Sequence, residues 1–182
     1  MNVVGFTADD VRGHPRALLE FDDRDHVGNA IGERGVGGSS CDLRFATPAS
    51  VFGLTEVTRG IIAGGGGTQR LPRMIPLAAA MEILLTGRHV TSDEALRWGL
   101  INRVVPPDEL MHTAREVANA IASNAPLAVR ATKEATLRGL DVGFEDGMRI
   151  EAFLSQIIAR TEDSREGPLA FAEKRKPDYK GR

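Results

Sequence analysis

Cysteine is almost missing from this 182-residue chain: Cys41 stands alone. That excludes an internal disulfide and makes a reducing compartment, the cytosol, the expected location. Histidine is nearly as scarce, and His14, His26, His89 and His112 have no ligand spacing among themselves or with Cys41. No metal site is expected from them. No apolar run approaches the roughly 20 residues that span a bilayer, and residues 1–20 lack the basic start and apolar core of a secretory signal. An excess of charge is lacking too. The 23 Lys and Arg against 25 Asp and Glu leave a formal net charge of −2, which offers no bulk attraction to nucleic acid or to an anionic membrane. What is present is 42% hydrophobic residues, enough for a core at this length without a disulfide or a metal.

Three zones differ in character. Residues 1–27 contain the charge-dense stretch Glu20-Phe-Asp-Asp-Arg-Asp-His26, which cannot form a buried strand without a large desolvation cost, so this divergent zone is expected at the surface and poorly ordered. Residues 28–107 mix short apolar runs, glycine turns and two helices, the pattern of an α/β core. Residues 108–182 read as helices throughout. Thr91-Ser-Asp-Glu94 predicts a capping box, and Gly99 falls where a helix ending at Trp98 needs a left-handed residue. Leu100, Ile101, Val104 and Val105 predict a strand stopped by Pro106-Pro107. A helix is expected from about Asp108, with Ala114, Val117, Ala118 and Ile121 inward, and another from Pro126, with Leu127, Ala131, Ala135 and Leu137 inward.

The segment with chemical content is Phe52-Gly-Leu-Thr-Glu-Val-Thr-Arg-Gly-Ile-Ile-Ala-Gly-Gly-Gly-Gly-Thr-Gln-Arg-Leu-Pro-Arg73. Phe52, Leu54, Val57 and Ile61-Ile62-Ala63 read as short buried pieces, and glycines 64–67 as a loop opening a helix. Amides at such a helix start bind an oxyanion, a carbonyl oxygen or a polarised water. Glu56 lies eight residues ahead of that loop. A phosphate loop would need Gly-Lys-Ser or Gly-Lys-Thr, and Gly67-Thr68-Gln69 lacks the lysine. A dinucleotide fingerprint fails at its last glycine, where Gln69 stands.

This segment resembles the crotonase superfamily, whose best-known member is enoyl-CoA hydratase. Met81-Glu-Ile-Leu-Leu-Thr-Gly-Arg88, Glu94-Ala-Leu-Arg-Trp-Gly-Leu-Ile-Asn-Arg-Val-Val105 and Glu173-Lys-Arg-Lys-Pro177 extend the resemblance over roughly residues 28–182, the C-terminal part of the usual family domain. The family's N-terminal part, with its first oxyanion-hole amide, has no recognisable counterpart. The resemblance implies a partial crotonase-type (ClpP/crotonase-like) spiral core over 28–107 and a helical oligomerisation region over 108–182. It implies an acyl-CoA thioester as substrate, hydration or double-bond isomerisation as the reaction, and no cofactor beyond the coenzyme A carried by the substrate. Adding water to a conjugated double bond needs a group that takes and gives protons. Glu56 matches one of the family's two catalytic glutamates, and Gly64 the glycine whose amide lies near the reacting water. The oxyanion and substrate-binding positions fall on Gly32, Glu33 and Gly65. Counting back from Cys41-Asp42, Glu33 and Arg34 replace two family glycines and Val36 replaces the second glutamate. The usual two-carboxylate scheme is therefore broken, which leaves either a single-acid enzyme or a noncatalytic relative that binds acyl-CoA.

The same resemblance assigns Lys174, Arg175 and Lys176 to the phosphates of coenzyme A. Without it, they are favourable charges at a helix end. Between about 143 and 160 the apolar residues Phe144, Met148, Ile150, Phe153, Leu154, Ile157 and Ile158 form a stripe broader than one small domain needs. Burial against another copy is expected, a trimer or hexamer by the resemblance. Cys41 and Trp98 are expected in the core.

Overall fold

The computed structural model describes residues 3–6, 19–21 and 41–182. Among these residues six strands form two sheets: β1 (Val3–Phe6), β2 (Leu19–Phe21), β3 (Leu43–Ala46), β4 (Val51–Phe52), β5 (Val90–Thr91) and β6 (Arg103–Val104). The larger sheet runs β2-β1-β3-β6. β1 is antiparallel to both neighbours, with Val4 opposite Glu20 on one side and Phe45 on the other, and β3 is parallel to β6. β4 and β5 pair antiparallel, Phe52 opposite Val90. The zone expected to lack order thus contributes two strands. Leu19, Glu20 and Phe21 pair with β1 and lie last in the sheet order among the described residues. The charges from Asp22 to His26 lie outside the described residues.

Seven helices follow among the described residues: α1 (Gly67–Met74), α2 (Leu77–Thr86), α3 (Ser92–Arg97), α4 (Leu110–Ala122), α5 (Pro126–Leu140), α6 (Phe144–Ile158) and α7 (Asp163–Ala172). The capping box forms as expected. Thr91 Oγ1 accepts from the Glu94 amide at 3.3 Å, and Glu94 Oε2 accepts from the Thr91 amide at 3.0 Å. Gly99 takes φ 78°. The strand expected from Leu100 shrinks to Arg103–Val104, because Leu100 and Ile101 are drawn into the core, 1% and 3% exposed, ahead of the pairing segment.

Period-2 alternation in β3 divides the interior. Ala46 joins Phe52, Leu54, Leu71, Ala80, Ile83, Val90 and Leu100 in one cluster, while Phe45 joins Leu110, Ala114 and Ala118 in another. The turn from β3 to β4 is closed by the Ser50 amide donating to Thr47 O at 3.0 Å, and Ser92 Oγ donates to Pro48 O at 3.1 Å. This ties α3 to the turn that delivers the chain toward Glu56. No helix among the described residues is long and apolar enough to cross a membrane.

Candidate functional site

Glu56 opens a short 3-10 turn, Glu56–Arg59, that Gly60 closes with φ 73°. The carboxylate points inward and is 2% exposed. Its Oε2 has no hydrogen-bond partner among the described residues. An unpaired buried polar atom costs on the order of 1–3 kcal/mol, and more when charged, so packing gives no account of a glutamate here. Such a position is suited to a group that exchanges protons with a bound molecule.

The Gly60 turn leads into the glycine loop. The Gly64 amide, expected to polarise water, donates instead to Ile62 O at 2.7 Å and closes a tight turn. Gly66, with φ 99°, precedes α1. No described residue accepts a hydrogen bond from the amides of Gly65, Gly66, Gly67 or Thr68. These donors sit at the positive end of the α1 dipole. Arg70 folds back over the loop, its Nη1 donating to Gly65 O at 3.3 Å.

One sequence expectation fails here. Phe52, Leu54 and Ala63 are buried as expected, but Val57, Ile61 and Ile62 are 42%, 51% and 76% exposed. The tight turn at Glu56 and the left-handed residue at Gly60 reverse the chain, so the glutamate faces the core and its apolar neighbours face out. The acid is thus buried while its apolar neighbours in sequence are exposed.

A cleft of about 1130 Å³ lies elsewhere, lined by Arg70, Arg73 and Met74 of α1 and by Ala128, Thr132 and Leu140 of α5. Glu56 does not line it. Gly32, Glu33 and Val36 lie outside the described residues. Cys41 is buried, Trp98 is half-buried against the core with the Arg88 guanidinium 5.6 Å from its ring, and no metal-holding cluster occurs among the described residues.

The basic segment after α7 is divided by its contacts. Arg175 makes paired bonds to Glu166, Nη1 to Oε1 at 2.5 Å and Nη2 to Oε2 at 2.9 Å, and a third to Glu173 at 2.6 Å. Lys174 and Lys176 are exposed and have no ion pair among the described residues. Lys174 stands in the left-handed region, φ 56°. Its amide donates to Phe171 O at 3.2 Å and the Arg175 amide to Ala170 O at 3.0 Å, the two bonds of a Schellman ending. Glycine is the usual residue there, and a side chain costs about 1–2 kcal/mol.

The residues that hold this segment escaped sequence reasoning. Asp163, 3% exposed, accepts from the amides of Lys180 at 2.7 Å and Gly181 at 2.8 Å. Glu166 accepts from the Asp178 amide at 2.7 Å as well as from Arg175, first among the influences that hold its carboxyl down to about 2. Two acids three apart at a helix start were the available signal, but such acids also suit a helix dipole and so carry little information.

A family profile described as enoyl-CoA hydratase/isomerase matches residues 27–182. (E)-benzylidenesuccinyl-CoA hydratase from Thauera aromatica is 46% identical over 157 residues, 84% of this chain and 61% of that protein. Short-chain-enoyl-CoA hydratase from Clostridium acetobutylicum is 44% identical over 137 residues, 75% and 52% of the two chains. Among solved structures, enoyl-CoA hydratase from Bacillus anthracis matches with TM-score 0.78 at 45% identity, covering 79% of this chain and 56% of that one. The chain thus spans about half to three fifths of the length of these proteins.

Proposed function

The chain belongs to the enoyl-CoA hydratase/isomerase family and has its crotonase fold, and from that premise we propose that it acts on an acyl-CoA thioester with Glu56 as the sole proton-transfer group. The observation that carries this reading is the Glu56 carboxylate, 2% exposed with Oε2 unpartnered among the described residues, set ahead of a glycine loop whose amides open α1.

One carboxylate suits double-bond isomerisation. Glu56 takes a proton from the carbon next to the thioester, the electron pair moves onto the thioester oxygen, and the same carboxyl returns the proton two carbons further along. Hydration uses the same acid differently: Glu56 takes a proton from water as its oxygen bonds to the β-carbon, and a proton is then delivered to the α-carbon. With Val36 at the family's second glutamate position, Glu56 must also make that delivery. Amides at the start of α1 are placed to polarise the carbonyl or the water. Those of Gly65, Gly66, Gly67 and Thr68 are available as they stand, whereas Gly64 must first leave Ile62 O. No cofactor other than the substrate's own coenzyme A enters this scheme. Lys174 and Lys176 are the proposed phosphate contacts, and Arg175 a structural anchor. A reducing, cytosolic setting and association of several copies complete the proposal.

The test is turnover of crotonyl-CoA and of a β,γ-enoyl-CoA by the purified chain and by Glu56→Gln, which keeps size and hydrogen bonding but cannot titrate. Loss of a sole proton-transfer group lowers the rate by about 10² to 10⁴. Full activity in Glu56→Gln would reject the assignment. Val36 favours a second reading, a noncatalytic acyl-CoA binder, and calorimetric binding of acetyl-CoA without turnover of either substrate would establish it.

A further inference from the structure

The segment 173–182 does not trail from α7; it is fastened to the first turn of that helix. Asp163 accepts the amides of Lys180 and Gly181, and Glu166 accepts the Asp178 amide. The Glu162 amide donates to the main-chain oxygen of Arg182 at 2.7 Å, and Arg182 Nε donates to Glu162 Oε2 at 2.9 Å. Three acids from one helix start thus capture the main chain at four places. Arg175 adds a side-chain tie, its guanidinium spread over Glu166 and Glu173. Lys174 and Lys176 flank this tied residue, and neither has a carboxylate partner among the described residues.

Two features need a reason together. A non-glycine residue occupies the left-handed ending of α7, where the side chain is a cost, and a buried carboxylate, Asp163, is spent on main-chain amides of a surface segment. Backbone held against its preference marks a position whose side chain is used. If the segment only had to pack, glycine at 174 would serve better. A long cation on a loose segment loses rotamer and backbone freedom when it binds; on a fastened turn most of that loss has already occurred in folding.

We infer that Asp163 and Glu166 are positioning residues for acyl-CoA: they fasten the turn through the segment's main chain and Arg175, so that Lys174 and Lys176 are presented together to its phosphate groups. This rests on the acyl-CoA reading above and adds to it the division of labour within the basic cluster. Arg175, the strongest phosphate binder by chemistry because of its planar paired donors, is committed to the clasp, and the lysines on either side do the binding.

The probe is adenosine 3′,5′-bisphosphate, the phosphate-bearing end of coenzyme A without its thioester, titrated calorimetrically into the full chain. Glu166→Gln is expected to weaken binding roughly tenfold, the loss that comes with re-immobilising one or two long side chains. Lys174→Ala with Lys176→Ala should weaken it at least as much. The swap Glu166→Arg with Arg175→Glu, which restores the ion pair without changing net charge, should recover part of the affinity. With crotonyl-CoA, Glu166→Gln should raise KM and leave kcat in place, a split that general destabilisation does not produce. Because Asp163 is buried, Asp163→Asn is read only after a thermal melt shows it folded; Glu166 is partly exposed and tests the idea in any case. Unchanged bisphosphate affinity in Glu166→Gln, with hydrogen exchange showing the Asp178 amide released, would overturn the positioning role while leaving the acyl-CoA reading untouched. Turnover of crotonyl-CoA by a chain that does not bind the bisphosphate would overturn it as well.

Discussion

Gly67 leaves no room for a side chain. A Cβ built there would lie 2.8 Å from Ala63 Cβ and 2.9 Å from Leu54 Cδ1, and Ala63 has no rotamer with which to retreat. Gly67→Ala is therefore expected to destabilise the chain by about 1–3 kcal/mol, as overpacking does, which a urea unfolding curve would show as a lower midpoint. The glycine also sets the first turn of α1 directly after Ala63, and so fixes the distance between the loop amides and the segment bearing Glu56. Activity of a folded Gly67→Ala chain should fall with stability. A substitution that lowered the midpoint and left turnover unchanged would separate the loop from the chemistry. Glu56 poses the opposite case: its burial without a partner for Oε2 is a cost in the folded state that Glu56→Gln is expected to ease while abolishing proton transfer.

Among the elements, α3 and α7 are held by acids whose contacts set how the fold responds to pH. Glu94 is held at about 2 by its hydrogen bond with Arg88 and then by the Thr91 amide, and Glu166 at about 2 by Arg175 and then by the Asp178 amide. Both lie below the ordinary value of 4.5. A carboxylate whose folded pKa is depressed adds stability that is fully present above the unfolded value, and that stability is lost as pH falls through the folded value. The window is therefore from about 4.5 down to about 2. Thermal melts should show a midpoint that falls across this range, and Glu166→Gln should flatten part of that dependence; salt should weaken it, since both carboxylates are within reach of water. The capping box makes a separate prediction. Thr91→Ala removes the side chain that accepts from the Glu94 amide, and a lost cap costs about 1 kcal/mol, which corresponds to a drop of about 2–4 °C in Tm for a chain of this length.

The whole molecule carries more exposed apolar surface than its core explains. In α6 only Leu154 is fully buried, while Phe144, Met148, Phe153 and Ile157 are 83%, 47%, 62% and 47% exposed. With 3.6 residues per turn, Phe153 and Ile157 share one flank of the helix and Phe144 and Met148 the other. The stripe expected from the sequence is therefore two stripes on either side of the buried line. Surface of this kind is typical of an interface, and association of several copies is the predicted consequence. Phe153→Asp with Ile157→Asp should leave the monomer folded, because both side chains already face outward, and should shift sedimentation to the monomer. A wild-type chain that sediments as a monomer would reject the idea.

Much of this organisation was legible in the residues, and the division follows the range of the forces involved. The capping box at Thr91, the left-handed Gly99, the start of α5 at Pro126 and the inward faces of α4 follow from neighbours within one or two helical turns, so local pattern sufficed. The Glu56 segment stood out because an acid, an apolar run and a glycine loop all lie within one short stretch; the burial of the acid is decided by the fold. Contacts across the chain decided the rest. Whether Val57, Ile61 and Ile62 face in or out depends on how the Glu56 turn is set against the core, and their hydrophobicity alone suggested the wrong side. Leu19 to Phe21 border too charged a stretch to suggest a strand, yet they pair with β1. Lys174, Arg175 and Lys176 are three similar cations in sequence; only the folding of Glu166 onto Arg175, nine positions apart, makes one an anchor and leaves two without an ion pair among the described residues. Local propensity is written in adjacent residues, whereas the side a residue faces and the charge it meets are set by partners that the chain brings together only when it folds.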